Sequence, residues 1–312
     1  MIHHQRLAAF GVVEPRITHI ARELQRLLSL VELLQDGQPV QVNGFRLRDL
    51  RVWQDYATDH ALNALLPISG VCNSRCQFCF EYGIPYAREC SFMPLAEVEA
   101  RLAHYDAATG RCLFPSHRPQ LETFLHPQAL EIIRRARARD PEAVFALTTN
   151  GSLLDEALLT ELAVLGPLLI KLSLNVSDPA LHRELMGLGA RTEVALAAPQ
   201  RLRAHGIPFI GSIVAWPTIP LEAIERTVRY LDDCEAYAIH LRLPLVHRWA
   251  RQQPDVDWAA YWQEVAAFGR QLQPTCRSPL IVEPPPIDSS PPLAIVIAPN
   301  VIVVSLGRTR SR

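Results

Sequence analysis

From about residue 64 onward, short apolar runs alternate with amphipathic stretches, and this alternation constrains the fold more than any other feature of the sequence. The apolar runs are continuous, as in strands of a parallel sheet that are buried on both faces. The stretches between them carry apolar residues at helical spacing, and several begin with proline or aspartate. The predicted strands span residues 65–71, 112–114, 143–149, 168–174, 209–215 and 237–243, and the predicted helices span residues 94–105, 127–140, 155–165, 179–205 and 220–232.

Strand–helix units in tandem predict an α/β fold whose parallel sheet curls into a partial (β/α)6 barrel of the TIM type. The helix over residues 179–205 is expected to break near Gly187 and Gly189. In such barrels the reactive groups lie at the carboxyl ends of the strands. We expect the barrel core to span residues 63–248.

Two small extensions are predicted to flank this core, over residues 1–62 and 249–312. The first is expected to contain an amphipathic helix and a hairpin, because Asn-Gly strongly favours a two-residue hairpin turn. The second is expected to contain a helix, a stiff proline-rich linker and two short strands. The predicted elements are a helix over 16–35, a hairpin over 38–47, a helix over 257–272, a linker over 284–292 and two strands within 294–304.

Charge and hydropathy restrict the partners of the chain. The formal net charge is −1, which gives no electrostatic reason to expect a nucleic acid or an anionic membrane surface. The most apolar stretch, residues 293–306, is interrupted by Pro299 and falls short of the roughly 20 residues that span a bilayer. The N-terminus lacks the apolar core of a signal peptide. We therefore expect a cytoplasmic protein with neither a membrane nor a nucleic-acid partner.

Three of the seven cysteines, Cys72, Cys76 and Cys79, are crowded into the loop after the first predicted strand. Thiolates at C-x3-C-x2-C spacing can wrap one compact metal site. A ferredoxin-type cluster or a structural zinc site would need a fourth ligand, and the next cysteine, Cys90, lies well beyond the loop. Three ligands leave one coordination position open, as catalytic metal sites require.

This loop resembles the signature of the radical S-adenosylmethionine (radical SAM) superfamily, C-x3-C-x-aromatic-C, with Phe78 as the aromatic residue. The resemblance extends over residues 63–244, with the elements in the family's order. It implies that Cys72, Cys76 and Cys79 are catalytic and bind a [4Fe–4S] cluster whose fourth iron binds S-adenosylmethionine. Reductive cleavage of that cofactor would yield a 5′-deoxyadenosyl radical, which abstracts a hydrogen atom from a substrate.

The resemblance also implies contacts to S-adenosylmethionine at the ends of the later strands. Residues 120–127 resemble the family's Gly-Gly-Glu-Pro turn and the His-Pro segment after it, although both glycines and the proline of the turn are missing. The alternatives are that Glu122 is a solvated turn carboxylate and His126 a helix-start residue. The implied cofactor-binding residues are Phe78, Glu122, Ser173, Asn175 and Ile210.

Two further segments carry weaker signals. Residues 149–151 resemble the family's Thr-Asn-Gly turn, and an ordinary strand-to-helix turn is the alternative. His240 and Arg242 share one face of the last predicted strand by the period of two, from which they can reach a substrate or solvent.

Two other functions fit the same residues. The chain could be an iron–sulfur protein for electron transfer or sensing, with a fourth ligand such as Cys90, or a degenerate family member that acts as a binding module. Beyond residue 240 the sequence has one cysteine, Cys276, so auxiliary clusters are not expected. The expected partners are a small-molecule, peptide or protein substrate and an electron donor such as a flavodoxin or a ferredoxin.

Overall fold

The computed structural model describes residues 33–35, 38–42, 45–46, 68–79, 92–105, 121–141, 145–242, 255–278, 280–282, 294–297 and 302–305. The strands are β1 (Leu33–Gln35), β2 (Gln38–Val42), β3 (Phe45–Arg46), β4 (Phe145–Thr149), β5 (Leu168–Ser173), β6 (Phe209–Val214), β7 (Ala238–Arg242), β8 (Leu280–Val282), β9 (Ala294–Ile297) and β10 (Ile302–Ser305). The α-helices are α1 (Leu95–Ala103), α2 (Ala129–Arg139), α3 (Glu156–Val164), α4 (Pro179–Met186), α5 (Thr192–Ala204), α6 (Leu221–Asp233) and α7 (Trp258–Leu272).

The core of the described structure is a parallel sheet in the order β4-β5-β6-β7-β8. Strands and helices alternate along the chain from β4 to β8, which confirms the predicted α/β fold class of a partial barrel. The four strands from β4 to β7 confirm the apolar runs predicted there. The predicted strand over residues 112–114 lies outside the described residues, as do residues 65–67 of the first predicted strand. Within residues 68–79, the strand-type pairing is a single antiparallel bridge between Ser69 and Phe92.

One face of this sheet is covered by helices. At Gly211 on β6 a Cβ atom would lie 2.5 Å from Leu231 Cδ1 of α6, so this helix packs directly on the strand. At Gly269 on α7 a Cβ atom would lie 2.7 Å from Val282 Cγ2 of β8. These close approaches require glycine, because any larger side chain would separate the helices from the sheet.

The opposite face of the sheet carries polar side chains. Ser173, Ser212 and His240 are register partners on β5, β6 and β7, so they form one row across the sheet. Because side chains alternate between faces along a strand, this row points away from the helix-covered face that contains Gly211. The sheet therefore presents a polar inner surface near the carboxyl ends of its strands.

Strand β8 was not predicted from the sequence, although it pairs with β7. It has three residues, which is too short for an apolar run to stand out. Its position is fixed by Asp232 at the end of α6. The carboxylate of Asp232 accepts hydrogen bonds from the backbone N–H groups of Arg277 at 3.0 Å and Ser278 at 2.6 Å, just before the strand.

The predicted helix over residues 16–35 is wrong at its end, because Leu33–Gln35 forms β1 and pairs antiparallel with β2. Residues 16–32 lie outside the described residues. Gln35 is opposite Gln38, so Asp36 and Gly37 connect the two strands. Asp-Gly is a dipeptide that two-residue hairpins favour, and this signal outweighs the helical spacing of the leucines before it.

The predicted hairpin over residues 38–47 and the two predicted C-terminal strands are present. Strands β2 and β3 pair antiparallel with Val42 opposite Phe45, as expected for a hairpin about Asn43-Gly44. Strands β9 and β10 pair antiparallel with Ile297 opposite Ile302, in the segment where two short strands were predicted.

The helices predicted from residue 94 onward are present, and most begin and end within one or two residues of the sequence bounds. The predicted break separates α4 from α5, and Gly187 caps α4 with a left-handed backbone at φ 63°. Aspartates cap several helices, as the sequence indicated; the Asp178 carboxylate accepts the N–H of Leu181 at the start of α4. No helix among the described residues is both long enough and apolar enough to cross a membrane.

Candidate functional site

The loop with the three cysteines is fixed on one side by the end of α4. The backbone N–H of Arg75 donates to the carbonyl of Met186 at 2.9 Å, and the N–H of Gln77 donates to the carbonyl of Leu185 at 3.2 Å. The last carbonyls of a helix have no partner within the helix, so the loop supplies the missing donors. At Gly187 a Cβ atom would lie 3.4 Å from the Cβ of Arg75, which shows how closely the loop approaches the cap.

On its other side the loop is fixed by the turn after β4. The amide nitrogen Nδ2 of Asn150 donates to Oδ1 of Asn73 at 2.8 Å, and Nδ2 of Asn73 lies 2.8 Å from Oγ of Ser152. The same Asn150 nitrogen lies 3.8 Å from Cys72 Sγ. Because β4 ends at Thr149, these bonds place the cysteine loop at the carboxyl edge of the parallel sheet.

The three thiols Cys72, Cys76 and Cys79 are half-buried and close enough to interact electrostatically. Burial raises the pKa of Cys72 to about 11 and that of Cys76 to about 12, so both are protonated thiols near neutral pH in the protein alone. A bound iron would replace this proton, because a coordinating thiol is deprotonated by the charge of the metal.

The surroundings of the thiols suit an iron–sulfur cluster. The backbone N–H of Ser74 donates to Cys72 Sγ at 3.4 Å, and Ser74 Oγ lies 3.0 Å from Cys76 Sγ. Hydrogen bonds from polar groups to cluster sulfurs are one of the means by which proteins set the reduction potential of a cluster. Among the described residues, no three His, Cys, Asp or Glu side chains are arranged to hold a single metal ion. A four-iron cluster binds each thiolate through a different iron, so its ligands need not converge on one point.

Phe78 begins a series of aromatic rings that runs from the cysteine loop to α7. Its ring centroid lies 6.4 Å from that of Trp216, which follows β6 and is 1% exposed. The Trp216 ring lies 5.7 Å from Trp258, and Trp258 lies 6.3 Å from Tyr261 and 6.2 Å from Trp262. The first turns of α7 are therefore connected to Phe78 through Trp216.

Glu122 is buried at 1% exposure, not solvated as one interpretation of the sequence had it. Its Oε1 accepts the hydroxyl of Thr149 at 2.7 Å and the N–H of Phe124 at 3.3 Å, and its Oε2 accepts the N–H of Asn150 at 2.7 Å. Burial raises the pKa of Glu122 to about 7, and these three hydrogen bonds oppose that rise. The carboxyl group joins the turn around residue 122 to the end of β4.

His126 is also buried, and both of its ring nitrogens are bonded. Nδ1 accepts the backbone N–H of Gln128 at 3.0 Å, so Nε2 carries the proton and donates to the carbonyl of Met93 at 3.0 Å. The histidine thus joins the start of α2 to the segment before α1.

Three of the predicted cofactor-binding residues lie on the sheet or at its carboxyl edge. Ser173 is half-buried at the end of β5, and Ile210 is buried on β6, on the same face as Ser212. Asn175 is buried at a left-handed φ of 62°, where its Oδ1 accepts the N–H of Val214 at 2.9 Å. The structure brings Ser173 and Asn175 to the edge that also holds the cysteine loop, whereas Ile210 lies near the amino end of β6.

The sequence analysis missed three residues that organise the site. Asn73 and Ser74 lie between the first two cysteines and could have been noticed there, because both are polar side chains in a loop that carries ligands. Met186 lies 11 residues beyond Asn175, and its Sδ is 3.2 Å from Asn175 Nδ2 and 3.5 Å from Cys76 Sγ. Only the glycine after Met186, which predicts a helix end, points to this position.

The fold and the site define a class: an α/β partial-barrel protein with a three-cysteine loop at the carboxyl edge of its parallel sheet. The sequence model of the radical SAM superfamily matches residues 66–231, more than half of the chain. The chain belongs to the radical SAM superfamily. This membership confirms the cofactors predicted from the sequence, a [4Fe–4S] cluster and S-adenosylmethionine. No curated protein sequence matches the chain.

Solved structures of SuiB from Streptococcus suis share the fold. SuiB bound to its precursor peptide SuiA aligns with a TM-score of 0.56 and 18% identity, covering 84% of this chain and 60% of SuiB. SuiB bound to S-adenosylmethionine aligns with a TM-score of 0.53 and 16% identity, covering 75% of this chain and 52% of SuiB. The chain thus matches little more than half of the length of these SuiB chains.

Proposed function

We propose that the chain is a radical SAM enzyme in which Cys72, Cys76 and Cys79 hold a [4Fe–4S] cluster. The observation that carries this proposal is the placement of three thiols in one loop, at the carboxyl edge of a parallel sheet, with donors of Ser74 and Asn150 beside two of the sulfurs. When bound, the cluster and S-adenosylmethionine together supply a 5′-deoxyadenosyl radical for hydrogen abstraction from the substrate. Reduced flavodoxin or ferredoxin is the proposed source of the electron.

The residues of the chain contribute binding, orientation and the exclusion of water. Ser173 offers a half-buried hydroxyl at the end of β5, and half-buried Phe78 offers apolar surface for the cofactor, while Ile210 supports the inner face of the sheet from a buried position. Glu122 Oε2 accepts one hydrogen bond from Asn150, and a carboxylate oxygen can accept a second, which leaves capacity for an amino group. Asn175 holds the ends of β5 and β6 together through Val214.

The aromatic series limits access of water to this site. Phe78 and Trp216 pack against each other, and Trp258 on α7 packs against Trp216. A radical intermediate needs such shielding, because water and stray hydrogen donors would otherwise quench it.

Anaerobic reconstitution tests the ligand assignment. With ferrous iron and sulfide, the unaltered chain is expected to bind close to four irons and four sulfides per chain, and Cys72→Ala, Cys76→Ala and Cys79→Ala each to lose most of them. The matched control is Cys234→Ala, because Cys234 is buried at the end of α6 away from the loop. Equal iron content in the control and in the three loop variants would contradict the assignment.

A further variant separates this function from electron transfer or sensing. Cys90, outside the described residues, is the nearest cysteine that could complete a four-thiolate site. We expect Cys90→Ala to retain the whole cluster and to bind S-adenosylmethionine, because in the proposed function the fourth iron has no cysteine ligand and binds that cofactor. Loss of the cluster in Cys90→Ala would favour the electron-transfer function instead.

A peptide is the substrate class that we propose. The support is the likeness to SuiB, whose complex with a precursor peptide aligns over 84% of this chain. The test incubates peptides encoded beside the gene with the reconstituted chain, S-adenosylmethionine and dithionite, and measures their masses. Formation of 5′-deoxyadenosine without any mass change in these peptides would exclude them and direct the search to small molecules.

A further inference from the structure

Ser74 lies midway between Cys72 and Cys76 and contacts both of their sulfur atoms. Its backbone N–H donates to Cys72 Sγ at 3.4 Å, and its hydroxyl oxygen lies 3.0 Å from Cys76 Sγ. The residue is 1% exposed, so these contacts are shielded from water. One buried residue therefore touches two of the three thiols that we assign to the cluster.

The position of Ser74 is set by α4 as well as by the loop. Its hydroxyl donates to the carbonyl of Met186, the last residue of α4, which also accepts the N–H of Arg75. Gly187, which follows in the left-handed conformation, allows the loop to lie against the helix end. Since a helix end packed in the core is a rigid support, the hydroxyl is held close to Cys76 whether or not a metal is bound.

The hydroxyl has one hydrogen and two acceptors beside it, the carbonyl of Met186 and the sulfur of Cys76. A Cys76 thiol can donate its own hydrogen to the serine oxygen, which leaves the serine hydrogen to the carbonyl. A Cys76 thiolate bound to iron has no hydrogen and can only accept. With Cys76 bound to iron, the serine hydrogen would turn from the Met186 carbonyl, which keeps the N–H of Arg75, to the Cys76 sulfur. A donor next to a cluster sulfur stabilises the extra negative charge of the reduced cluster, and hydrogen bonds of this kind raise reduction potentials.

We infer that Ser74 is a positioning residue that holds Cys72 and Cys76 and, through its hydroxyl, raises the reduction potential of the cluster. The inference rests on the proposed function, because it takes these cysteines to be cluster ligands. It goes beyond that function by assigning control of the potential, and so of the ease of cofactor cleavage, to one residue that is not itself a ligand.

The test is a redox titration of the reconstituted full-length chain, followed by electron paramagnetic resonance of the reduced cluster. Ser74→Ala removes the hydroxyl and keeps the backbone N–H. We expect its potential to be lower, with at least a tenfold smaller ratio of reduced to oxidised cluster at a fixed potential, which corresponds to about 59 mV for one electron. Ser177→Ala is the matched control, because the Ser177 hydroxyl bonds to Thr227 on α6 and not to the cysteine loop, and its potential is expected to stay at the wild-type value.

The iron content of each chain distinguishes a failure of the inference from a failure of the proposed function. A Ser74→Ala chain with four irons and the wild-type potential, or a higher one, overturns the inference and leaves the proposed function intact. If the unaltered chain itself binds no four-iron cluster, the proposed function fails and the inference fails with it.

If Ser74→Ala binds no iron, the Ser74→Thr variant tests the role of the hydroxyl instead, since threonine keeps both the hydroxyl and the N–H. A four-iron cluster at the wild-type potential in Ser74→Thr supports the role of the hydroxyl. A chain with Ser74→Thr that holds no iron, or has a shifted potential, shows that the size of serine matters and contradicts the role.

Discussion

The carboxylate of Glu122 and the backbone N–H of Asn150 are joined by a hydrogen bond of 2.7 Å. This bond connects the turn before α2 to the end of β4, and Asn150 in turn bonds Asn73 next to the first cysteine. The cysteine loop is thus linked to a buried carboxyl group through two hydrogen bonds. Because burial raises the pKa of Glu122 to about 7, the charge state of this link changes within the physiological range.

Replacing Glu122 is expected to change how stability depends on pH. The folded state raises the pKa from 4.5 to about 7, so folded chains keep a proton that unfolded chains release in this range. The stabilising contribution is complete below pH 4.5 and is lost as the pH rises through 7, a change of about 3 kcal/mol. Urea unfolding of Glu122→Gln from pH 4.5 to 8 should lack this decrease. The exposed Glu161→Gln serves as control, and an unaltered decrease in Glu122→Gln would contradict the assignment.

His182 on α4 is expected to act in the opposite direction. It is 0% exposed, and its two ring nitrogens have no hydrogen-bond partner in the described structure. Burial lowers its pKa from 6.5 to about 4, so stability should decrease as the pH falls from 6.5 towards 4. His182→Leu should unfold at a similar urea concentration at pH 8 and be more stable than wild type at pH 5 by about 2 kcal/mol.

The same urea series provides the contradicting outcome for His182. If the difference in unfolding free energy between His182→Leu and the wild type is the same at pH 5 as at pH 8, the histidine does not titrate as its burial requires. Because Glu122 and His182 oppose each other, each single variant should also reveal the pH slope of the other group.

Gly151 after β4 is expected to be less tolerant of alanine than Gly189 after α4. Both glycines have left-handed backbones, with φ of 79° and 57°, so alanine should cost about 1 kcal/mol at either position. At Gly151 the new methyl group would also lie 2.8 Å from Leu172 Cδ1 and 3.0 Å from Ala198 Cβ, whereas at Gly189 no atom lies within 4 Å. Gly151→Ala should therefore lower the free energy of unfolding by about 1–3 kcal/mol more than Gly189→Ala. Equal losses would mean that the turn can move away from α5.

The parts of the fold that the sequence predicted are those with strong local signals. The strands β4 to β7 are continuous apolar runs, and the break between α4 and α5 coincides with two glycines that adopt left-handed conformations. Strand β8 and the end of the predicted N-terminal helix were missed for different reasons. Strand β8 is a three-residue strand placed by its pairing with β7, and β1 is placed by its hairpin with β2, which local leucine spacing does not reveal.

For the site, the sequence predicted the identity of the important residues well. It predicted the contacts of those residues poorly. The spacing of the cysteines predicts a metal-binding loop without any knowledge of the rest of the chain. By contrast, whether Glu122 is solvated or buried depends on Thr149 and Asn150, which lie at the end of a strand more than twenty residues away. The contact of Ser74 with Met186 spans 112 positions, and no local pattern predicts such a contact.

The most direct test of the central claim is a stoichiometric assay for 5′-deoxyadenosine. The anaerobically reconstituted chain is mixed with S-adenosylmethionine and dithionite, and the products are separated and quantified, with Cys76→Ala treated in parallel. The proposed function predicts 5′-deoxyadenosine and methionine in equal amounts from the wild-type chain and neither above background from the variant. A wild-type chain that carries four irons, is reduced by dithionite and yet forms no 5′-deoxyadenosine would contradict the claim.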